Sequence, residues 1–364
     1  MNISFTLLEK HPFLRFLLKK VLVFLGIFFF SACLIFALPR LMPSNPVEIM
    51  VARILSGEFA TGIGGATGGS SAVATREEIV EVLRQVYLEK FGLDKPIQIQ
   101  FLLFWKRIFT FDFGVSYSYY PSTVSDIIMS SLPWTLVLIA PVPLIGFFVG
   151  NRIGSYSVVK SNKLTNLIFY ITLYLNRMPY YWFGLVLVYI FAVTLKWFPM
   201  SGAYSEKWLR PVWNLDFFLD AAHHYILPFL SLVWQGIGGW AVGMRAAMFS
   251  QIKSTYVEYT KQLGFSFSKI RKYMERNAIL PNFTWLPMAF SGLISQTLLV
   301  EVVFGYPGVG SLMYSAAYSL DYPLLEASFL IIMLIVLVGN LICDIVYGLL
   351  DPRIGSGYIS GEAR

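Results

Sequence analysis

His223 and His224 have the chemistry to hold a metal ion, but neighbours in sequence point to different sides of a helix, so an interfacial role is the better reading. The glycine-rich run from Gly57 to Ser71 has the look of a phosphate-binding loop. It lacks the Gly-Lys-Ser/Thr ending that would place a lysine and a hydroxyl on phosphate and magnesium, so it reads as a flexible linker. Gly236, Gly238, Gly239 and Ala241 imitate a dinucleotide fingerprint, yet no strand precedes them and they lie inside an apolar run, where small residues let helices approach closely. Asn340, Asp344 and Tyr347 fall at i, i+4 and i+7, on one helix face; Asp344 has the chemistry of a proton relay or ion ligand, and a structural contact is the simpler reading, with Arg353 available as its partner. Cys33 and Cys343 sit in apolar runs and read as small core residues, not as a disulfide or metal ligands. No Ser/His/Asp or paired-carboxylate arrangement stands out. The expectation is a chain with no catalytic residue, no metal site and no cofactor of its own.

The elements that carry these residues are set by hydropathy. With 364 residues, 56% hydrophobic, 13% charged and a mean hydropathy of +0.63, the chain exceeds what one soluble core can hide, and it reads as an integral membrane protein. Its +7 formal charge does not imply a nucleic-acid partner, because the cations cluster at the ends of apolar runs rather than in one stripe with aromatics between them. Six segments are long enough for a hydrocarbon core that takes about 20 apolar residues to cross: residues 20–41, 133–153, 165–195, 225–247, 283–304 and 325–349. Arg177 and Pro179 interrupt the third, which predicts one tilted or broken helix rather than two spans. The first run follows Arg15, Lys19 and Lys20, is too long for a signal-peptide core and lacks a small-residue cleavage site, so it reads as a retained anchor.

Charge gives the orientation. Arg152, Lys160 and Lys163 have no acidic neighbours in the second connection, and residues 245–280 are strongly basic, whereas residues 305–323 carry only Asp321. Basic loops stay in the cytoplasm, so both termini are expected inside, with residues 1–19 and 350–364 as cytoplasmic ends and 42–132 as an external region. In that region Thr75 and Glu78 form a capping box for a helix over Arg76–Phe91 that Gly92 stops. The aromatic stretch from Pro96 to Phe111, broken by Lys106 and Arg107, predicts a helix on the membrane surface or capping the bundle, not a seventh span.

The most basic stretch, Tyr256 to Pro281, has its own grammar: a helix ending near Leu263, a turn at Gly264, and a second helix from Phe267 to Ala278 with Ser266 or Ser268 as its cap. Glu258 and Gly264, with Leu280-Pro281 closing the loop, resemble the signature loop of the membrane permease subunit of ABC importers, although Tyr259 and Thr260 stand where that signature has two alanines. The remainder resembles the oligopeptide/dipeptide/nickel branch of that family nearly end to end. Gly92-Leu93-Asp94-Lys95-Pro96, Asp112-Phe113-Gly114-Val115-Ser116, Pro199-Met200-Ser201-Gly202 and Ile226-Leu227-Pro228 follow its motifs in order. So do Glu301 with Pro307-Gly308-Val309-Gly310, then Asp321-Tyr322-Pro323, then Asn340, Asp344, Tyr347 and Asp351-Pro352-Arg353-Ile354.

The resemblance implies an all-α fold with six transmembrane helices, an enlarged external region after the first, and a permease core over 133–349. It implies a prokaryotic inner-membrane location within the lipid bilayer. It also implies partners: a homologous second permease, two ABC ATPase subunits that bind ATP and Mg, and an extracytoplasmic substrate-binding protein. Residues 248–281 would be the coupling loop that docks on the ATPase, and a bulky side chain at Gly264 would uncouple ATP hydrolysis from uptake. Among the branch's substrates, peptide is preferred to oligosaccharide and nickel comes last. Tyr117, Tyr119, Tyr120, Tyr180, Tyr181 and Trp182 have the faces to stack on sugar rings but read more simply as interfacial aromatics. The competing class is a stand-alone secondary transporter or channel, whose expected internal repeats and midplane charges are not evident; a scaffold without transport is a third.

Overall fold

The computed structural model describes residues 12–41, 81–82, 84–85, 94–159 and 162–350. The Gly57–Ser71 run, Thr75 and Glu78, most of the Arg76–Phe91 helix, Gly92, and Asp351, Pro352 and Arg353 lie outside them. The described residues are almost wholly helical, with one isolated antiparallel bridge between Val115 and Thr123. In chain order the helices are α1 Pro12–Arg40, α2 Ile97–Thr110, α3 Val124–Ile139, α4 Pro141–Val159, α5 Lys163–Asn176, α6 Tyr180–Leu187, α7 Leu215–Ile252, α8 Thr255–Gln262, α9 Phe267–Val303, α10 Val309–Ser319 and α11 Tyr322–Leu350. Among the described residues, four stretches are long and apolar enough to cross a membrane, Phe16–Ala37, Val124–Val159, Leu215–Ile252 and Tyr322–Ile342. The number becomes six if α5 with α6 and its continuation to Thr194, and the two halves of α9, each count as one bent span.

The third apolar segment breaks where Arg177 and Pro179 were expected to break it, and its two pieces meet at 108°. Asn162 and Thr165 cap α5 reciprocally, each side chain accepting from the other's backbone N–H. The segment ends in a π-helical turn over Val188–Thr194.

Two expected boundaries differ. Ile226-Leu227-Pro228 does not open the fourth span; α7 begins at Leu215, where the Asn214 side chain accepts from the Phe217 N–H at 2.7 Å, and Pro228 lies inside the helix. Nor does the basic loop close at Leu280-Pro281. Helix α7 continues to Ile252, and α9 starts at Phe267 and runs through both residues, with a 44° bend only between Leu286 and Met288. Proline within a long apolar helix is tolerated where neighbouring groups or water satisfy the freed carbonyl, and Leu280 and Pro281 are exposed.

The described residues divide into two compact units, one drawn from residues 1–27, 131–311 and 332–364 and the other from 28–130 and 312–331. In the first, α7 is the hub and touches α4, α5, α6 and α9. Its tightest approach is to α4, where glycine recurs every fourth residue at Gly146, Gly150 and Gly154. A Cβ on Gly150 would lie 2.5 Å from the Ile237 carbonyl oxygen and 2.6 Å from Trp240 Cβ, and one on Gly154 would strike the Ala241 carbonyl, so only glycine permits this spacing. In the second unit α2 lies against α1, with Trp105 stacked on Phe29 and Phe101 edge-on to Phe36. Its 14 residues cover about 21 Å at the α-helical rise, short of a ~30 Å hydrocarbon core.

Candidate functional site

A cavity of about 590 Å³ opens between α4, α5, α7 and α9 in the larger unit. Its wall combines the Asn176, Gln235, Asn282 and Gln296 amides and glycines 236, 239, 243 and 292 with the Trp240 and Trp285 rings and apolar side chains that include Met288 and Leu293. Two of the amides are structural. Asn176 Nδ2 donates to the Gln235 carbonyl at 2.5 Å, and Asn282 Nδ2 donates to Asn151 Oδ1 at 2.6 Å and to the Trp240 carbonyl at 3.2 Å. Those bonds tie α5 and α9 to α7 and spare apolar spans an unsatisfied polar group. The glycine cluster read as a packing device splits in two. Gly238 is pressed against Asn176 and the Thr172 carbonyl, as expected for packing, whereas Cβ atoms on Gly236, Gly239 and Gly292 would meet nothing within 4 Å and would project into open space. None of the lining residues is charged. Such a wall can hydrogen-bond a solute's amides through Gln235 and Gln296 and leaves the sign of the solute's charge unselected.

The same α7 carries the basic turn. Helix α8 ends on Leu263. Gly264, at φ +76°, sends its N–H to the Lys261 carbonyl at 3.0 Å, and the Phe265 N–H bonds the Thr260 carbonyl at 3.2 Å. This is a left-handed glycine cap, the turn expected from sequence. Ser266 holds the N-cap position of α9 but makes no side-chain capping bond, and Ser268 lies within the helix. Val257 is buried among Met244, Met248, Ile270 and Met274, so α8 is fixed to α7 and α9 by one face. Glu258 and Tyr259 remain exposed on the other, as do Leu263 at its C-cap and Phe267 at the start of α9. Helix α8 is thus anchored by one face and bare on the other.

At the opposite end of α9, Glu301 is fully buried. Its carboxylate accepts from Thr135 Oγ1 at 2.7 Å and from the Ser311 N–H at 3.1 Å, and Thr135 Oγ1 accepts from the Val309 N–H at 2.8 Å. Glu301 thus caps α10 from a distance, satisfying first-turn donors and favouring the positive end of the helix. The spacing of Pro307-Gly308-Val309-Gly310 follows from this. A Cβ on Gly308 would overlap the Glu301 carboxyl, and one on Gly310 would lie 2.7 Å from Leu298 Cα. The Pro199–Gly202 turn meets the same corner, the Gly202 N–H donating to the Phe304 carbonyl at 2.9 Å. Burial raises the Tyr306 phenol above its ordinary value, with Tyr225 and Glu301 adding to the shift.

In the smaller unit, Asp321 is also fully buried. It accepts from Ser116 Oγ at 2.5 Å and from the Ser118 N–H at 2.9 Å, and it caps α11 through the Leu324 N–H at 3.3 Å. The Asp112–Ser116 motif is therefore the other half of the Asp321 motif, with Asp112 Oδ1 accepting from the Gly114 N–H at 3.1 Å and Gly114 at φ +80°. Asp94 lies exposed just ahead of α2. Asp344 pairs with Lys20 Nζ at 2.9 Å; Arg353, the partner expected from sequence, lies outside the described residues. His223 and His224 turn to different carbonyls, those of Trp197 at 2.7 Å and Asp220 at 2.9 Å. Thr135, Asn151, Lys20 and the α4 glycines carry no local sequence signal of these roles; only the recurrence of glycine at every fourth position offered one.

The family model for "Binding-protein-dependent transport system inner membrane component" matches residues 143–356. Curated relatives include the oligopeptide transport system permease protein AppB of Bacillus subtilis, 31% identical over 291 residues, covering 79% of this chain and 90% of the relative. The oligopeptide transport system permease protein OppB of Haemophilus influenzae is 31% identical over 288 residues, 79% of this chain and 89% of its own length. The di/tripeptide transport system permease protein DppB of Pseudomonas aeruginosa is 27% identical over 355 residues, 94% and 98% of the two chains.

Proposed function

We propose that this chain, which belongs to the family of binding-protein-dependent transport system inner membrane components, forms half of an ATP-driven import path for peptides. Family membership makes it a multi-pass permease of the ABC importer class. The further assignment is that it pairs with a homologous permease, receives peptide from an extracytoplasmic binding protein, and docks two ATPase subunits that hold ATP and magnesium. In this reading both termini face the cytoplasm of a prokaryotic cell and the basic turn is the docking element. Peptide is preferred to oligosaccharide because the relatives named above are peptide permeases.

The observation that carries the reading is the uncharged amide-and-glycine cavity between α4, α5, α7 and α9. A peptide's invariant feature is its main chain, whose N–H and C=O groups need partners once they leave water. Gln235 and Gln296 offer both a donor and an acceptor each. Glycines 236, 239 and 292 leave room for variable side chains. ATP-driven closure of the ATPase pair, transmitted through α8, then shifts the equilibrium between outward-open and inward-open arrangements, with ATP supplying the differential contacts.

A Gly239→Trp variant places bulk in the cavity from a position whose Cβ would meet nothing within 4 Å. It is expected to assemble and to keep basal ATP hydrolysis, while uptake of labelled peptide into proteoliposomes falls at least about tenfold, the equivalent of ~1.4 kcal/mol on the rate-limiting step. Uptake at the level of the unaltered complex would remove the cavity from the path.

A further inference from the structure

We propose that a second, basic cavity, unrelated to the peptide path, binds the phosphodiester headgroup of an anionic phospholipid. It measures about 290 Å³ and lies between α4, α7 and α9, lined by Arg152, Tyr156, Arg271 and Glu275 together with Phe148 and Met244. The Arg271 Nε–H is buried without a hydrogen-bond acceptor. Its guanidinium stands over the Tyr156 ring at 5.1 Å, and that same Nε lies 3.4 Å from Glu275 Oε1, an ion pair without hydrogen-bond geometry. That same Glu275 oxygen already accepts from Ser155 Oγ at 2.5 Å. Glu275 therefore fixes Arg271 but offsets only one of two cations, since Arg152 also lines the cavity. Guanidinium donors held in a recess with a net positive charge are the chemistry of phosphate recognition. The apolar wall argues for a lipid as the carrier of that phosphate. Phe148 is 65% exposed on the α4 face that leads from the recess toward the apolar run, and an acyl chain covers such a face when the headgroup sits among arginines. Basic recesses between spans at the membrane surface select acidic lipids in this way.

The test uses the purified complex in mild detergent, back-titrated with equal amounts of phosphatidylglycerol and phosphatidylcholine and read by native mass spectrometry. The unaltered complex is expected to retain phosphatidylglycerol over phosphatidylcholine, and Arg152→Gln, at an exposed position, to weaken that retention severalfold without altering assembly. Arg152→Gln combined with Arg271→Gln abolishes the preference, whereas Arg271→Lys retains part of it. Excess inorganic phosphate separates the sources. Retention of phosphatidylglycerol in its presence marks a lipid site, while a phosphate adduct that appears without lipid and is lost in Arg152→Gln marks the same anion site filled from solution. Equal retention of the two lipids with no phosphate adduct, or unchanged phosphatidylglycerol retention in both Arg152 variants, overturns the proposal.

Discussion

Gly308→Val is expected to abolish recoverable, monodisperse protein. The added side chain would occupy the space of the Glu301 carboxyl, which is fully buried and already holds Thr135 and the first turn of α10. Displacing the carboxyl leaves it and its donors without partners in the interior, at about 1–3 kcal/mol for each group, which together is much of the stability of an ordinary domain. Glu301→Gln should be milder. The amide still accepts from Thr135, but its NH₂ faces the Ser311 N–H, donor to donor, at a cost of about 1–3 kcal/mol. Thr135→Val belongs with the milder variant, because it orphans the Val309 N–H. Size-exclusion profiles and melting temperatures in mild detergent would rank the three. A Glu301→Gln protein as stable as the unaltered one but inactive in uptake would instead make Glu301 part of the transport chemistry.

The second large effect is on coupling. Gly264→Val is expected to insert and assemble normally, yet to lower peptide uptake at least about tenfold and to leave ATP hydrolysis unresponsive to loaded binding protein. A Cβ at Gly264 would meet nothing within 4 Å, so space inside the chain is not the obstacle. The obstacle is φ +76°, a left-handed conformation that costs L-residues about 1–2 kcal/mol and β-branched ones more. Relieving that strain swings α8 away from α9 and moves the exposed face of Glu258, Tyr259 and Leu263 relative to whatever it docks on. Gly264→Asn, which tolerates the left-handed region, should restore most of the uptake. A valine variant that transports like the unaltered protein would strip the turn of its coupling role.

What was legible in the sequence is what short-range physics determines. The apolar runs and the break at Arg177 and Pro179 follow from hydropathy and backbone chemistry. The turn at Gly264 follows from a glycine standing between two helical stretches. Boundaries misled where a strong local signal lay inside an element: Pro228 and Pro281 look like helix edges, and Asn214, an inconspicuous asparagine, is the true cap of α7. Relations between distant residues were invisible singly. Glu301 and the two glycines were adjacent motifs, but Thr135 had to be brought across from α3. Asp344 is paired with Lys20, which comes from the opposite end of the sequence. The glycines of α7 gave the subtlest error, since glycine permits close packing and open space alike. Only the neighbours distinguish Gly238, pressed on Asn176, from Gly239, facing the cavity.

The most direct measurement of the central claim is gentle extraction of the tagged chain from its own membrane, identification of what co-purifies, and assay of the preparation for ATP hydrolysis. The expected result is a complex with a second permease and ATPase subunits, whose hydrolysis rises when a peptide-loaded binding protein is added. A lone chain or homo-oligomer without ATPase across several mild extractions would contradict the importer assignment and return the basic turn between α7 and α9 to a purely topological role.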